Sequence, residues 1–111
     1  MENYWKELEI AITVSDKNAR VLAMNDKAIH TFEKYGGEKL IGTSLYDCHP
    51  PQANELIKRF LETKETNAYT IEKAGQKKLI YQTPWFEKGE FMGYVELSLP
   101  LPENMPHKVR S

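Results

Sequence analysis

Three consecutive strand patterns in the last third of the chain place the strongest constraint on its fold. Each pattern is rich in β-branched and aromatic residues. The three segments are AYTIEK, KKLIYQTPWF and FMGYVELSLPL, at residues 68–73, 77–86 and 91–101. Short turns separate them, at Ala74-Gly75 and at Glu87-Lys88-Gly89. Because turns of this length join neighbouring antiparallel strands, the pattern predicts a three-stranded antiparallel meander.

Two further strand patterns lie near the start of the chain. Residues alternate in character through EIAITVSD (residues 9–16), which puts Ile10, Ile12 and Val14 on one face, as in a half-buried strand. The segment DKNA then supplies turn residues, and RVLAM (residues 20–24) has the composition of a second strand. The two segments predict a hairpin.

A capped helix is predicted directly after this hairpin. Asn25 is a good N-cap for DKAIHTFEKYG (residues 26–36), and Gly36 and Gly37 end the pattern. The apolar side chains share one helical stripe, which consists of Ala28, Ile29, Phe32 and Tyr35.

Short turns and a second helix are predicted for the middle of the chain. The segment EKLIGTSLYDCH (residues 38–49) suggests one or two short helical turns, with Gly42 between them. Proline is favoured at a helix start, so a helix should begin near Pro51 and end by about Lys64. Its apolar residues recur at spacings of three and four, at Leu56, Ile57, Phe60 and Leu61.

These elements together predict an α+β architecture, a five-stranded antiparallel sheet with helices covering one face. A chain of 111 residues has the length of one domain. We assign that domain to residues 9–100. Residues 1–8 are expected to form an N-terminal helix that caps the sheet or makes a dimer contact. Residues 101–111 are expected to be a loose tail or the start of a linker.

Composition argues against several classes of function. The net charge is −1 and the basic residues are scattered, which gives no surface for binding nucleic acid by charge. No apolar run approaches the roughly 18 residues of a membrane span. The single Cys48 excludes an internal disulfide and fits a cytoplasmic location. No paired carboxylates, serine–histidine pattern or phosphate-binding loop stands out, so we expect no enzymatic activity.

Most of the domain resembles the PAS family of sensory and dimerisation modules. The resemblance is carried by ITVSDKNARVLAMNDKAIHTFEKYGGEKLIGTSLYDCHP (residues 12–50) and by Gly93 after the EKGEF turn. It implies a PAS fold with a small-molecule pocket between the sheet and the helix at residues 51–64. It also implies that the outer face of the sheet forms a homodimer or docks a signalling effector.

The resemblance also suggests which residues perform these two roles. The expected pocket residues are Ile29, Phe32, Leu45, His49, Leu56, Ile57 and Phe60. The expected dimer contacts are Tyr4, Trp5 and Leu8, which are large apolar side chains close to the N-terminus.

Cys48 and His49 permit two interpretations. The stretch HPPQANELIKRFLE is similar to that of CO-sensing haem PAS regulators, which implies His49 as an axial ligand of haem b. Those regulators use a later cysteine and methionine as the second ligand, whereas here the cysteine position falls on Tyr69 and the nearest later methionine is Met92. In the alternative, His49 fixes the turn into the helix through a backbone hydrogen bond and Cys48 is a small buried side chain. The Cys-His-Pro-Pro pattern also resembles PAS modules attached to hemerythrin-like domains.

The positions of Cys48 and His49 argue against two other chemistries, flavin photochemistry and zinc binding. In light-sensing flavin PAS domains the reactive cysteine stands where this chain has Leu45. Zinc needs three or four ligands, and adjacent side chains such as Cys48 and His49 rarely point at one ion.

Several other polar and aromatic residues receive structural roles. Glu96 lies on the face opposite Val95 and Leu97, which suggests a solvated charge on the outer surface. His30 is expected on the solvated side of its helix, and Trp85 at a sheet edge. Core or interface roles are expected for Tyr81 and Tyr94.

Three functions therefore remain open from the sequence. The first is a sensor of an unidentified small molecule, the second a haem-based gas or redox sensor that uses His49, and the third a ligand-free interaction module.

Overall fold

A computed structural model describes residues 3–47 and 51–111 of the chain. The described residues form five strands, two α-helices and three short 3-10 helices. The strands are β1 (Ala11–Asp16), β2 (Val21–Met24), β3 (Asn67–Lys73), β4 (Gln76–Glu87) and β5 (Glu90–Pro100). The α-helices are α1 (Asp26–Thr31) and α2 (Pro51–Thr63), and the 3-10 helices span Glu33–Tyr35, Gly37–Leu40 and Leu45–Asp47. The predicted α+β class is confirmed.

The strands form one antiparallel sheet in the order β2-β1-β5-β4-β3. The predicted N-terminal hairpin and C-terminal meander are therefore both present. β1 and β5, which are far apart in sequence, lie side by side at the centre of the sheet, with Val14 opposite Val95. This pairing joins the two halves of the chain.

Gly93 allows β1 and β5 to approach each other closely. It lies opposite Asp16 in the register, with φ at +149°. A Cβ atom added there would lie 2.0 Å from the carbonyl oxygen of Ser15. Only glycine combines this backbone conformation with so close a contact.

Asn25 connects the N-terminal segment, β1 and α1. Its side chain is buried at 1% exposure and takes part in four hydrogen bonds. The Oδ1 atom accepts from the backbone N–H groups of Ile12 and Ala28, and Nδ2 donates to the carbonyls of Trp5 and Ile10. The predicted N-cap is confirmed, and it has the further role of holding three segments together.

The N-terminal segment forms a turn over residues 4–7 where the sequence predicts a helix. Its backbone is held at the start of α1, because Lys6 accepts from the Asp26 N–H and its side chain pairs with the Asp26 carboxylate at 3.1 Å. Tyr4 is 84% exposed and Leu8 is 44% exposed, while Trp5 is half-buried. The dimer contact assigned to these residues stays a prediction.

α1 is shorter than its sequence pattern predicts. It ends at Thr31, and a 3-10 helix follows before Gly36. The Thr31 hydroxyl donates to the Lys27 carbonyl, and the Phe32 N–H donates to the Ala28 carbonyl. The tighter turns that follow bring Phe32 and Leu40 against the core cluster.

The helices cover one face of the sheet. The buried core there consists of Ala11, Val21, Met24 and Ala28, with Ile29, Phe32, Leu40 and Leu45 packed against it. On β1 the covered side chains are therefore Ala11, Thr13 and Ser15, and alternation turns Ile12 and Val14 to the opposite face.

The chain leaves the sheet at Leu101. Its N–H donates to the carbonyl of Lys77, and its own carbonyl accepts from the Gln76 side chain. Residues 102–111 are exposed and form no helix or strand. No helix in the described part of the chain has the length and apolar character of a membrane span.

Candidate functional site

A cavity of about 140 Å³ lies between α2 and the covered face of the sheet. Its volume is close to that of engineered cavities of about 150 Å³ that bind benzene. The cavity therefore accommodates a molecule of about one aromatic ring.

Apolar side chains form one side of the cavity. They come from α2, from β2 and from the segment that contains α1 and the 3-10 helices. The principal members are Met24, Phe32, Leu45, Ile57, Phe60 and Leu61. Such a wall favours an apolar ligand surface by removing it from water.

The structure brings four of the seven predicted pocket residues to this cavity, namely Phe32, Leu45, Ile57 and Phe60. Ile29 packs against the neighbouring core cluster. Leu56 precedes Ile57 on α2 but is 45% exposed, because successive helical positions point in different directions. His49 lies outside the described residues, as do Cys48 and Pro50.

Polar side chains from the central strands form the other side of the cavity. They are Thr13, Ser15, Gln82, Tyr94 and Glu96, and none of them was among the predicted pocket residues. The strand register explains the grouping, since Thr13 and Gln82 both lie opposite Glu96. Residues that pair in register point to the same face of a sheet.

The expectation that Glu96 lies on the outer surface is wrong. Its carboxylate lines the cavity and accepts a hydrogen bond of 2.7 Å from Gln82 Nε2. The Gln82 Oε1 atom in turn accepts from Asn67 Nδ2 at 3.0 Å. The expectation fails because the outer face of this sheet is the more apolar one, so that alternation with Val95 and Leu97 does not mark Glu96 as solvated.

Tyr94 connects the sheet to the end of α2. Its hydroxyl lies 2.9 Å from the Phe60 carbonyl and 2.7 Å from the Glu65 carbonyl, and its single proton is donated to one of them at a time. Its ring centroid is 6.0 Å from that of Phe60. Burial, and secondarily the charge of Glu65, raises the pKa of the Tyr94 hydroxyl. Tyr94 thus lines the cavity with its ring and bonds to the helix with its hydroxyl.

The face of the sheet away from the helices is apolar. By alternation from the cavity-lining residues it presents Ile12, Val14, Leu97 and Leu99, together with Tyr81, which is 38% exposed. This sheet therefore has apolar side chains on both faces, and covering either face removes apolar surface from water.

No group of His, Cys, Asp and Glu side chains in residues 3–47 and 51–111 is arranged to hold a metal ion. His30 is exposed, as predicted, and lies 3.8 Å from the Glu33 carboxylate. The Trp85 indole donates to the Ser15 carbonyl at 3.0 Å, which fixes β4 near β1.

Solved structures share this fold. The PAS domain of the histidine kinase ThkA superposes with a TM-score of 0.65 at 21% identity, covering 83% of this chain and 99% of that one. The chain has the PAS fold. The Aer2 receptor from Vibrio cholerae, described as a dual PAS-haem oxygen sensor, superposes with a TM-score of 0.61 at 10% identity, covering 84% of this chain and 95% of that one. VqmA bound to DPO superposes with a TM-score of 0.64 at 16% identity, covering 89% of this chain and 55% of that one.

No protein-family model and no curated protein sequence matches the chain. The low identities of the structural matches mean that they establish the fold alone.

Haem does not fit the cavity that the described residues form. A porphyrin contains four pyrrole rings around an iron ion, whereas the cavity of about 140 Å³ has room for about one ring. The role of His49 as an axial ligand stays a prediction, because this residue lies outside the described part of the chain.

Proposed function

We propose that this chain is a PAS sensory module that binds a small molecule in the cavity beneath α2. The observation that carries the proposal is a cavity with one apolar and one polar side, since ligand sites typically combine apolar walls with a few oriented polar groups. Other PAS structures are consistent with this, for VqmA is described as bound to DPO and the Aer2 receptor as a haem oxygen sensor.

Signal transfer in this proposal depends on α2. Ile57, Phe60 and Leu61 contribute to the cavity, so a bound molecule contacts the helix directly. Tyr94 holds the end of the same helix to β5, the strand that also carries Glu96. A ligand that binds one position of α2 more tightly than another shifts the helix relative to the sheet.

The outer face of the sheet is the proposed output surface. Its apolar side chains are suited to contact with a second copy of the chain or a signalling effector. Tyr4 and Leu8, the predicted dimer contacts, are exposed as well. We expect a homodimer, and sedimentation of Tyr81→Arg against wild type tests it. Tyr35→Arg is the matched control, because Tyr35 is 68% exposed and belongs to the helical side. Unchanged sedimentation of all three proteins as monomers would contradict the dimer.

Adjacent residues on α2 provide the test of ligand binding. Ile57→Trp adds a bulky ring within the cavity, whereas Leu56→Trp adds the same ring at an exposed position. The three proteins are incubated with a metabolite extract and examined by native mass spectrometry. We expect a small-molecule adduct on wild type and Leu56→Trp that is absent from Ile57→Trp. An adduct on all three proteins, or on none, would contradict binding in the cavity.

A further inference from the structure

We propose that Glu96 makes the cavity selective for a small aromatic cation, such as an arylalkyl amine. The inference deepens the proposed function, on which it rests, by naming the chemical class of the ligand.

A chain of side-chain hydrogen bonds orients the Glu96 carboxylate. Asn67 donates to Gln82 Oε1, so the amide of Gln82 presents its Nε2 group to Glu96 Oε2. This is the one hydrogen bond of the Glu96 side chain within the described residues. A carboxylate has about four acceptor positions and, when ionised, no donor. The free positions therefore select a ligand that donates.

Charge strengthens this preference. The ion pairs among residues 3–47 and 51–111 are Lys6–Asp26, His30–Glu33 and Arg59–Glu65. None of them includes Glu96, and the described residues that line the cavity include no lysine or arginine. A partly buried carboxylate gains most from a partner of opposite charge. A ligand with a cationic nitrogen provides that charge, and an anionic ligand would be repelled.

The effect of Glu96 extends to its surroundings. Tyr69 lies on β3, beyond β4 from Glu96, and its pKa is raised by burial and then by the negative charge of Glu96. The negative charge of Glu96 thus acts beyond its own strand, on the side of the sheet that carries Tyr69.

The apolar wall opposite Glu96 determines the uncharged part of the ligand. Phe32 and Phe60 line this wall, and Tyr94 adds an aromatic ring from the side formed by the sheet. Aromatic faces attract both aromatic rings and cations. Because the cavity of about 140 Å³ holds about one ring, the fitting molecule is a single ring with a short aminoalkyl group.

Three probes of nearly equal shape but different charge test whether the cavity prefers a cationic ligand. Benzylamine is cationic at neutral pH, benzyl alcohol is neutral and benzoate is anionic. Each is titrated into isotopically labelled protein, and dissociation constants are obtained from amide chemical shifts. Wild type is expected to bind benzylamine at least about tenfold more tightly than benzyl alcohol, and benzoate most weakly.

Two glutamate variants test whether Glu96 is the source of the preference for benzylamine. Glu96→Gln retains an amide oxygen for the Gln82 donor but removes the charge, so it should bind benzylamine and benzyl alcohol about equally. Glu90→Gln removes the same charge from an exposed position at the start of β5 and should retain the wild-type preference.

The possible failures are distinguishable. If wild type binds all three probes equally or prefers benzoate, the selectivity for cations is refuted while ligand binding stands. Retention of the full preference by folded Glu96→Gln also refutes the role of Glu96. If none of the probes perturbs any cavity residue, the proposal of an aromatic cation is refuted, and the adduct experiment with Ile57→Trp and Leu56→Trp decides the proposed function separately. The wild-type comparison needs no variant, so it decides the proposal even if Glu96→Gln does not fold.

Discussion

Replacing Gly93 with alanine should destabilise the domain far more than the same change at a turn glycine. The added methyl group would lie 2.0 Å from the Ser15 carbonyl oxygen and 2.8 Å from Asp16 backbone atoms. Since these contacts are backbone, β1 and β5 must separate to relieve them. Thr13, Ser15, Tyr94 and Glu96 lie on these two strands, so the cavity wall would be distorted as well.

The expected loss follows from two contributions. Overpacking of this kind costs about 1–3 kcal/mol, and a non-glycine residue in an unfavourable backbone region costs about 1–3 kcal/mol more. Alanine offsets about 0.5–1 kcal/mol by reducing the entropy of the unfolded chain. The net loss is about 1–5.5 kcal/mol, compared with the roughly 5–15 kcal/mol that stabilises a typical domain.

Gly89 provides the matched control for Gly93→Ala. It has φ at +81°, and an added Cβ there meets no atom within 4 Å. Gly89→Ala should therefore cost only the backbone strain of about 1–2 kcal/mol, less the same entropy offset, which leaves a net loss of about 0–1.5 kcal/mol. Urea unfolding followed by circular dichroism measures both variants against wild type. Equal losses for Gly93→Ala and Gly89→Ala would refute the close approach of β1 and β5 at Gly93.

Three further predictions concern buried hydrogen bonds and titration. Asn25→Ala leaves buried backbone groups without partners and should lower the free energy of unfolding by about 2–4 kcal/mol in urea titrations, whereas the same change at exposed Asn18 should have almost no effect. Tyr94→Phe removes the hydroxyl bond to α2, so it should cost about 1 kcal/mol and speed hydrogen exchange at the end of that helix. Exposed Tyr35→Phe should do neither, and equal exchange in both variants would contradict the proposed link. The raised pKa values of Tyr69 and Tyr94 mean that the folded state retains protons longer than the unfolded chain. Stability should therefore be fully present below pH about 10 and fall as pH rises beyond it, and a flat pH profile in this range would count against raised pKa values for the two hydroxyls.

The order of elements could be predicted from local sequence patterns. The Asn25 cap, the proline at the start of α2 and the short turns of the meander each depend on neighbouring residues, and the structure confirms all three. Local patterns also place Ile57 and Phe60 on a common apolar side of α2, and both line the cavity.

The polar wall of the cavity depends on contacts between distant segments. Glu96 meets Gln82 and Thr13 only through the pairing of β5 with β4 and β1. Alternation within β5 divides its residues into two faces but does not say which face the helices cover. Because Leu97 and Leu99 face away from the helices by alternation, the usual rule of an apolar inner face assigned Glu96 to the wrong side.

Local sequence patterns also could not predict the length of α1 or the conformation of the N-terminal segment. The apolar spacing from Ala28 to Tyr35 fits an α-helix, yet the chain tightens into 3-10 turns after Thr31. Residues 4–7 form a turn because Asn25 and Asp26 hold their backbone at the start of α1. Both outcomes are set by packing between segments.

The position of a bound ring tests the central claim most directly. Intermolecular nuclear Overhauser effects can be measured between benzyl alcohol, a neutral ring probe, and the labelled methyl groups of the protein. The account predicts contacts with the methyl groups of Met24, Ile57 and Leu61 beneath α2. Contacts confined to Leu97 and Leu99 on the outer face, or none at all, would contradict a ligand site in the cavity.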